Sequence, residues 1–234
     1  MNDTVIKRVI QHDLRLGERG RKRDENLLQE VFRLCCRYAG QAPGQAVFIQ
    51  ELRSALSANI GWHRVLAYLN FLNNTLLIRL VDPLELRLRR RKGRPKICLC
   101  DHSLRASWLQ EMIPLTSEAL RRSPHLADLA GHMAESVTGF FLGGIPGLDL
   151  AWFPERGPEP EVDFAITVGE HRIPVEIKYR HKIDPHRDTL GLRAFLEKTV
   201  YNAPFAILVT LTDDVAVSDP RIVTLPLSSL LLMR

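Results

Sequence analysis

Long apolar runs are missing from this chain of 234 residues: none reaches the ~18 residues that crossing a bilayer requires, which excludes a membrane-spanning helix. The opening MNDTVIKRVIQHDLR has no apolar core of the kind a signal peptide carries, so a cytoplasmic protein is expected. Cysteine is scarce. The four present, Cys35, Cys36, Cys98 and Cys100, form an adjacent pair and a C-x-C, which suit neither a secreted disulfide framework nor a C-x-x-C zinc knuckle, and reduced thiols are expected. Nowhere does G-x-x-x-x-G-K-[ST] occur, so ATP hydrolysis is not expected of this chain.

What is there is an ordinary globular balance, 45% hydrophobic and 25% charged, which excludes disordered, collagenous and coiled-coil classes. The length allows one large domain or two small ones. Lys plus Arg exceed Asp plus Glu by 32 to 27, and the excess is local. Arg87, Arg89, Arg90, Arg91, Lys92, Arg94 and Lys96 fall within one short stretch whose reach suits a phosphate backbone; the bland alternative is a solvated loop.

Composition changes near the middle, so two units are expected, residues 1–112 and 113–234. In the first, Leu27, Leu28, Val31, Phe32, Leu34 and Cys35 make one apolar helix face. Phe48, Leu52 and Leu56 mark a second helix, and Val65, Tyr68, Leu69 and Leu72 a third after a tight turn at 57–61. Strands from Leu76 to Val81 and from Lys96 to Cys100 then flank the basic run. Three helices and a hairpin describe a winged helix, with Trp62, His63 and Arg64 placed where such folds enter the major groove; winged helices also serve as protein-interaction modules. Trp62, Trp108 and Trp152 are scattered and read most simply as core or boundary residues. Cys98, Cys100 and His102 would share one side of a strand, but no fourth ligand stands at metal spacing.

The second unit opens with a helical stretch from Ser117 to Leu142, broken near Pro124, with Leu126, Leu129, Met133, Val137 and Phe140 on one side and Glu135 among them. Val162, Phe164, Ile166 and Val168 then alternate, as do Ile173, Val175 and Ile177, around a Gly169-Glu170 turn. A two-residue loop fixes the register. Val168 faces His171, Ile166 faces Ile173, Phe164 faces Val175, and hence Asp163 faces Glu176. Carboxylates so placed, with Cβ atoms about 5 Å apart, repel unless something compensates. A divalent cation would do so, and Lys178 projects to the same face, the grouping that holds Mg²⁺ and polarises water beside a phosphodiester. The alternative is an exposed hairpin neutralised by Lys178 alone. Farther on, Leu190 to Tyr201 reads as a helix and Ala206 to Thr210 as a buried strand; Arg187, Arg193 and Lys198 could line a phosphate path or form a solvated helix face.

Asp163 followed by Glu176-Ile-Lys178, with Glu135 upstream, resembles the PD-(D/E)xK nuclease superfamily. More narrowly, Gly131 to Val137, Glu161 to Phe164 and Pro174 to Lys178 resemble the C-terminal domain of bacterial and archaeal AAA+ ATPases catalogued as the domain-of-unknown-function 4143 family. Pro95 to Arg105 and Tyr68 to Ile78 are similar to that family's preceding segments, so the likeness runs from about Phe48 to Val209. His102 departs from the smaller polar residue usual there.

The resemblance implies a mixed α/β protein, a winged-helix-like part joined to a restriction-endonuclease-like core. It implies that Asp163 and Glu176, assisted by Glu135, hold a metal, and that Lys178 positions or activates water. Members usually carry an ATPase module ahead of this region, so a stand-alone descendant or a fragment is expected, with a separately encoded AAA+ ATPase as a possible partner. The leading reading is a DNA-associated protein hydrolysing phosphodiesters with Mg²⁺, its nucleic-acid contacts made by Arg64, Arg87, Arg89, Arg90, Arg91, Lys92 and Arg94. The others are a non-catalytic module binding DNA or an ATPase, and a decayed remnant with neither role.

Overall fold

A computed structural model describes residues 24–85, 93–114, 116–155 and 157–233. Arg87, Arg89, Arg90, Arg91 and Lys92 lie outside the described residues. Helix α1, Glu25–Arg37, begins where the Asp24 carboxylate accepts the Leu27 N–H at 3.1 Å, satisfying an amide that has no partner within the helix. Its expected apolar face is buried in full, together with Cys36. Each Leu, Val or Phe so covered contributes about 1.5–3 kcal/mol. Helices α2, Gln45–Leu56, and α3, Trp62–Asn74, close this core through Phe48, Leu52, Val65, Leu69 and Leu72. Strands β1, Ile78–Val81, and β2, Lys96–Leu99, form an antiparallel hairpin, and α4, His102–Leu109, returns to pack on α1.

The rest of the chain is a five-stranded sheet with helices against it. Helix α5, Ser117–Arg121, and a 3-10 turn at Pro124–Leu126 lead into α6, Ala127–Leu142. The sheet runs in the order β3, Asp149–Phe153; β4, Val162–Val168; β5, His171–Lys178; β6, Ala206–Thr210; β7, Ile222–Pro226. Its first three strands are antiparallel and its last three parallel, with α7, Leu190–Leu196, in the crossover from β5 to β6 and α8, Leu227–Leu232, after β7. The protein is mixed α/β, with a helical N-terminal part. No helix among the described residues is long and apolar enough to cross a membrane.

Helix α6 departs from its expected face. Its buried residues are mostly small, Ala130, Ala134, Ser136, Thr138 and Gly139, with Leu142 the one large side chain among them. A Cβ on Gly139 would stand 2.5 Å from Cys98 Sγ and 2.7 Å from Phe164 Cζ, so the helix lies as close to the strands as backbone packing permits. The Leu129, Met133, Val137 and Phe140 stripe is only half-buried. Ser136 Oγ accepts the Leu99 N–H at 2.8 Å and ties α6 to β2.

Candidate active site

The β4–β5 pairing has the expected register: Val168 opposite His171, Ile166 opposite Ile173 and Phe164 opposite Val175. Gly169 adopts φ +60, the left-handed backbone that the first position of such a turn requires and that glycine reaches without a Cβ clash. The strands differ from expectation in burial. From Val162 to Ile166 every residue of β4 is buried, because α6 covers one face and α7 the other, so this hairpin is not a one-sided ribbon.

At Asp163 the pattern changes. Opposite β3, Ala165 pairs with Ala151 but Val162 pairs with Phe153, so β4 carries one residue more than its neighbour across this interval. Such a bulge bends a strand and re-aims a side chain. Asp163 Oδ2 accepts the Ile177 N–H of β5 at 2.8 Å, and Oδ1 accepts from Lys96 Nζ of β2 at 3.2 Å. Lys96 also donates to Glu135 Oε2 of α6 at 2.9 Å and lies 3.7 Å from Glu161 Oε1. Beside this trio Lys178 Nζ meets Glu176 Oε1 at 2.5 Å, while the buried Glu176 Oε2 has no protein partner. Asp163 and Glu176 are therefore electrostatic neighbours with different partners, rather than a plain facing pair.

Lys96, which the sequence groups with the basic run that suits a phosphate backbone or solvent, is 2% exposed. The reason is strand alternation. Ile97 and Leu99 enter the helical core, whereas Lys96 and Cys98 point the other way, toward α6 and β4. Its Nζ lies 5.1 Å from the Phe164 ring centre and 5.6 Å from that of Trp152, close enough for the ring faces to stabilise a cation. That two-residue spacing from the buried Cys98 was the sequence signal for Lys96; Glu161, 50% exposed in its side chain, had none beyond its place in the motif.

The electrostatics follow the contacts. Burial opposes the Lys96 charge, but Asp163, Glu135 and Glu161 more than reverse this and hold its pKa above that of an ordinary lysine. Glu135 is penalised by burial, yet Lys96 and His132 bring its carboxyl down to about 2. Burial takes Asp163 up to about 6, with Glu135 adding to the rise and Lys96 opposing it. Glu176 rises to about 8, chiefly through burial and then through the charge of Asp163. Burial lowers Lys178 and the Glu176 charge raises it, with a net rise. That rise calls for an ionised Glu176, in tension with the raised carboxyl itself. The upward direction for Glu176 is favoured, because its second oxygen is buried and unbonded.

Among the described residues, no group of three or more His, Cys, Asp and Glu side chains is placed to hold a metal ion. Asp163 and Glu135 spend acceptor oxygens on Lys96, leaving Glu176 Oε2 as the orphan acceptor of the centre. The arrangement described is thus a self-neutralised charge cluster and does not fit a Mg²⁺ cage, which takes near-octahedral oxygen ligands at about 2.0–2.1 Å.

The other sequence-predicted residues fall elsewhere. Trp62 packs on the helical core rather than toward a groove, while His63 and Arg64 are exposed. Arg64 bonds the Asp24 carboxylate at 3.0 Å, and Arg94 is exposed with its carbonyl accepting from Trp152 Nε1 at 2.9 Å. Arg193 is half-buried and donates to the His186 carbonyl, and Lys198, beyond the end of α7, pairs with Glu159. Cys98 and Cys100 enter different cores, which leaves them no shared metal with His102.

Residues 2–113 match a family described as a domain of unknown function, DUF8612. No curated protein matches. Among solved structures, the protein VC1899 from Vibrio cholerae is similar at 14% identity and a TM-score of 0.24, over 82% of this chain and 48% of that one. A half-complex of Thermococcus gammatolerans McrB AAA+ hexamers with bound McrC is similar at 14% identity and a TM-score of 0.26, over 86% of this chain and 46% of that one. The chain spans about half the length of each.

Proposed function

We propose that this is a DNA-associated protein with a PD-(D/E)xK nuclease-like core. The observation that carries this reading is the convergence of Glu135 from α6, Asp163 from β4, and Glu176 and Lys178 from β5 in one charge cluster at the bulged end of a hairpin. Bulges and perturbed carboxyl groups both concentrate at functional sites. The basic stretch from Arg87 to Arg94, with Arg64, supplies cations for a phosphate backbone, and a separately encoded AAA+ ATPase as partner rests on the motif resemblance.

In this reading phosphodiester hydrolysis is the reaction of the centre, and a bound Mg²⁺ would supply the charge that activates water. The arrangement described does not fit that ion, because Lys96 engages Glu135 and Asp163. Lys178 is a quarter exposed in its side chain and is the cation of the cluster best placed to meet an incoming phosphate. Lys96 favours a second reading, a non-catalytic module that keeps the fold and binds DNA or an ATPase, since its ammonium already neutralises Glu135 and Asp163. A supercoiled-plasmid nicking assay in Mg²⁺ and Mn²⁺ separates the two. Hydrolysis predicts nicking by the wild type that Lys178→Ala, Asp163→Ala and Glu176→Ala each abolish; plasmid bound but left intact by the wild type selects the binding module.

A further inference from the structure

We propose that the Lys96 ammonium and a divalent cation are alternative occupants of the acidic centre, so that Lys96 excludes the metal while its side chain lies in place. An ammonium has three N–H donors and no acceptor. Those of Lys96 meet Glu135 Oε2 at 2.9 Å and Asp163 Oδ1 at 3.2 Å, with Glu161 Oε1 at 3.7 Å. The side chain is 3% exposed and its head lies over Phe164 and Trp152, so water cannot take over these contacts without displacing packed rings.

A divalent ion drawn to these carboxylates needs the same oxygens. It would also stand within a few ångströms of a like charge in a poorly solvated site, where repulsion is weakly screened. Asp163 Oδ2 cannot serve as a free substitute, being bonded to the Ile177 N–H. Glu176 Oε2 is buried without a partner, and the second Glu135 oxygen, Oε1, faces His132 Nδ1 at 3.7 Å, so while Lys96 is seated the Glu135 and Asp163 oxygens that would complete a cage are held by the ammonium. The centre contains a bound cation already, and that cation is tethered to β2.

This inference deepens the reading of the acidic centre and rests on Asp163, Glu176 and Glu135 being its working carboxylates. Its test reads cation binding and not cleavage, so it can fail while DNA association stands, and the reverse. The full chain is titrated with Mn²⁺ by calorimetry, and its melting temperature is followed with and without Mn²⁺, for the wild type, Lys96→Met and Lys96→Gln. Lys96→Gln keeps an N–H donor toward the carboxylates and removes the charge. The expected result is at least a tenfold gain in Mn²⁺ affinity in both variants, with a melting temperature that Mn²⁺ raises in them and leaves unmoved in the wild type. Adding Asp163→Asn to Lys96→Gln should abolish the gain. Equal Mn²⁺ affinity in the wild type and Lys96→Gln, or variants that Mn²⁺ neither binds nor rescues from unfolding, overturns the proposal.

Discussion

A single lysine decides how the acidic residues of this protein are balanced. Lys96 neutralises carboxylates contributed by a strand and a helix that are distant from it in sequence, and removing one partner of a buried ion pair typically costs about 3–5 kcal/mol because the other charges stay buried. Lys96→Met should therefore lower stability by that order in urea denaturation without Mn²⁺. A change smaller than about 1 kcal/mol would mean that the carboxylates find compensation elsewhere. His102 offers a second prediction. Both ring nitrogens are buried without partners, and burial, reinforced by the nearby Arg105 and partly offset by Asp101, takes its pKa down to about 4. The unfolded chain then binds a proton that the folded chain refuses, so the His102 contribution is complete above about pH 6.5 and is lost as pH falls toward 4. His102→Phe should flatten the loss of stability between those values in pH-dependent urea melts, whereas an unchanged acid limb would assign it to other groups.

At the scale of elements, α6 shows what periodicity conveys and what it omits. Its position was legible, but apart from the buried Leu142 its larger apolar side chains lie on the half-buried side, and Gly139 marks the close contact with Cys98 and Phe164. Hydrophobic patterning ranks side chains by transfer from water, whereas close approach of a helix to a strand selects for absence of volume. Gly139→Ala, by pressing on Cys98 and Phe164, should cost about 1–3 kcal/mol in thermal or urea unfolding, the typical price of overpacking. A neutral substitution would show that α6 can lift from the sheet. The hairpin was legible in more detail, because a two-residue turn and period-two alternation determine register together. The bulge beside Asp163 was not legible, since it arises from pairing with β3, a strand with a short and unremarkable sequence. Lys96 was hidden by its company: a cation two residues from Arg94 reads as part of a basic run until alternation with Cys98 is applied.

For the whole molecule, the compositional change near residue 112 coincides with a passage between cores that share many contacts. The β1–β2 hairpin packs on α6, Trp152 exchanges backbone hydrogen bonds with Asp82 and Leu84, and Lys96 joins Glu135 and Asp163. A single unfolding transition, coincident by tryptophan fluorescence and far-UV circular dichroism, is predicted for the full chain. Two separated transitions would show that these contacts do not couple the halves. Lys96 opens strand β2 and so carries a cation from the hairpin of the first core into the acidic centre of the second.

DNA association is the central claim of the proposed function, and the salt dependence of binding tests it most directly. Affinity for duplex DNA is measured by fluorescence anisotropy across a range of salt concentrations, for the wild type and for a variant with Arg87, Arg89, Arg90, Arg91, Lys92 and Arg94 replaced by glutamine. Each phosphate contact contributes about 0.9 to the slope of log affinity against log salt. The account predicts a steep negative slope for the wild type that shrinks by several such steps in the variant; absence of wild-type binding at low salt, or slopes that coincide, would contradict it.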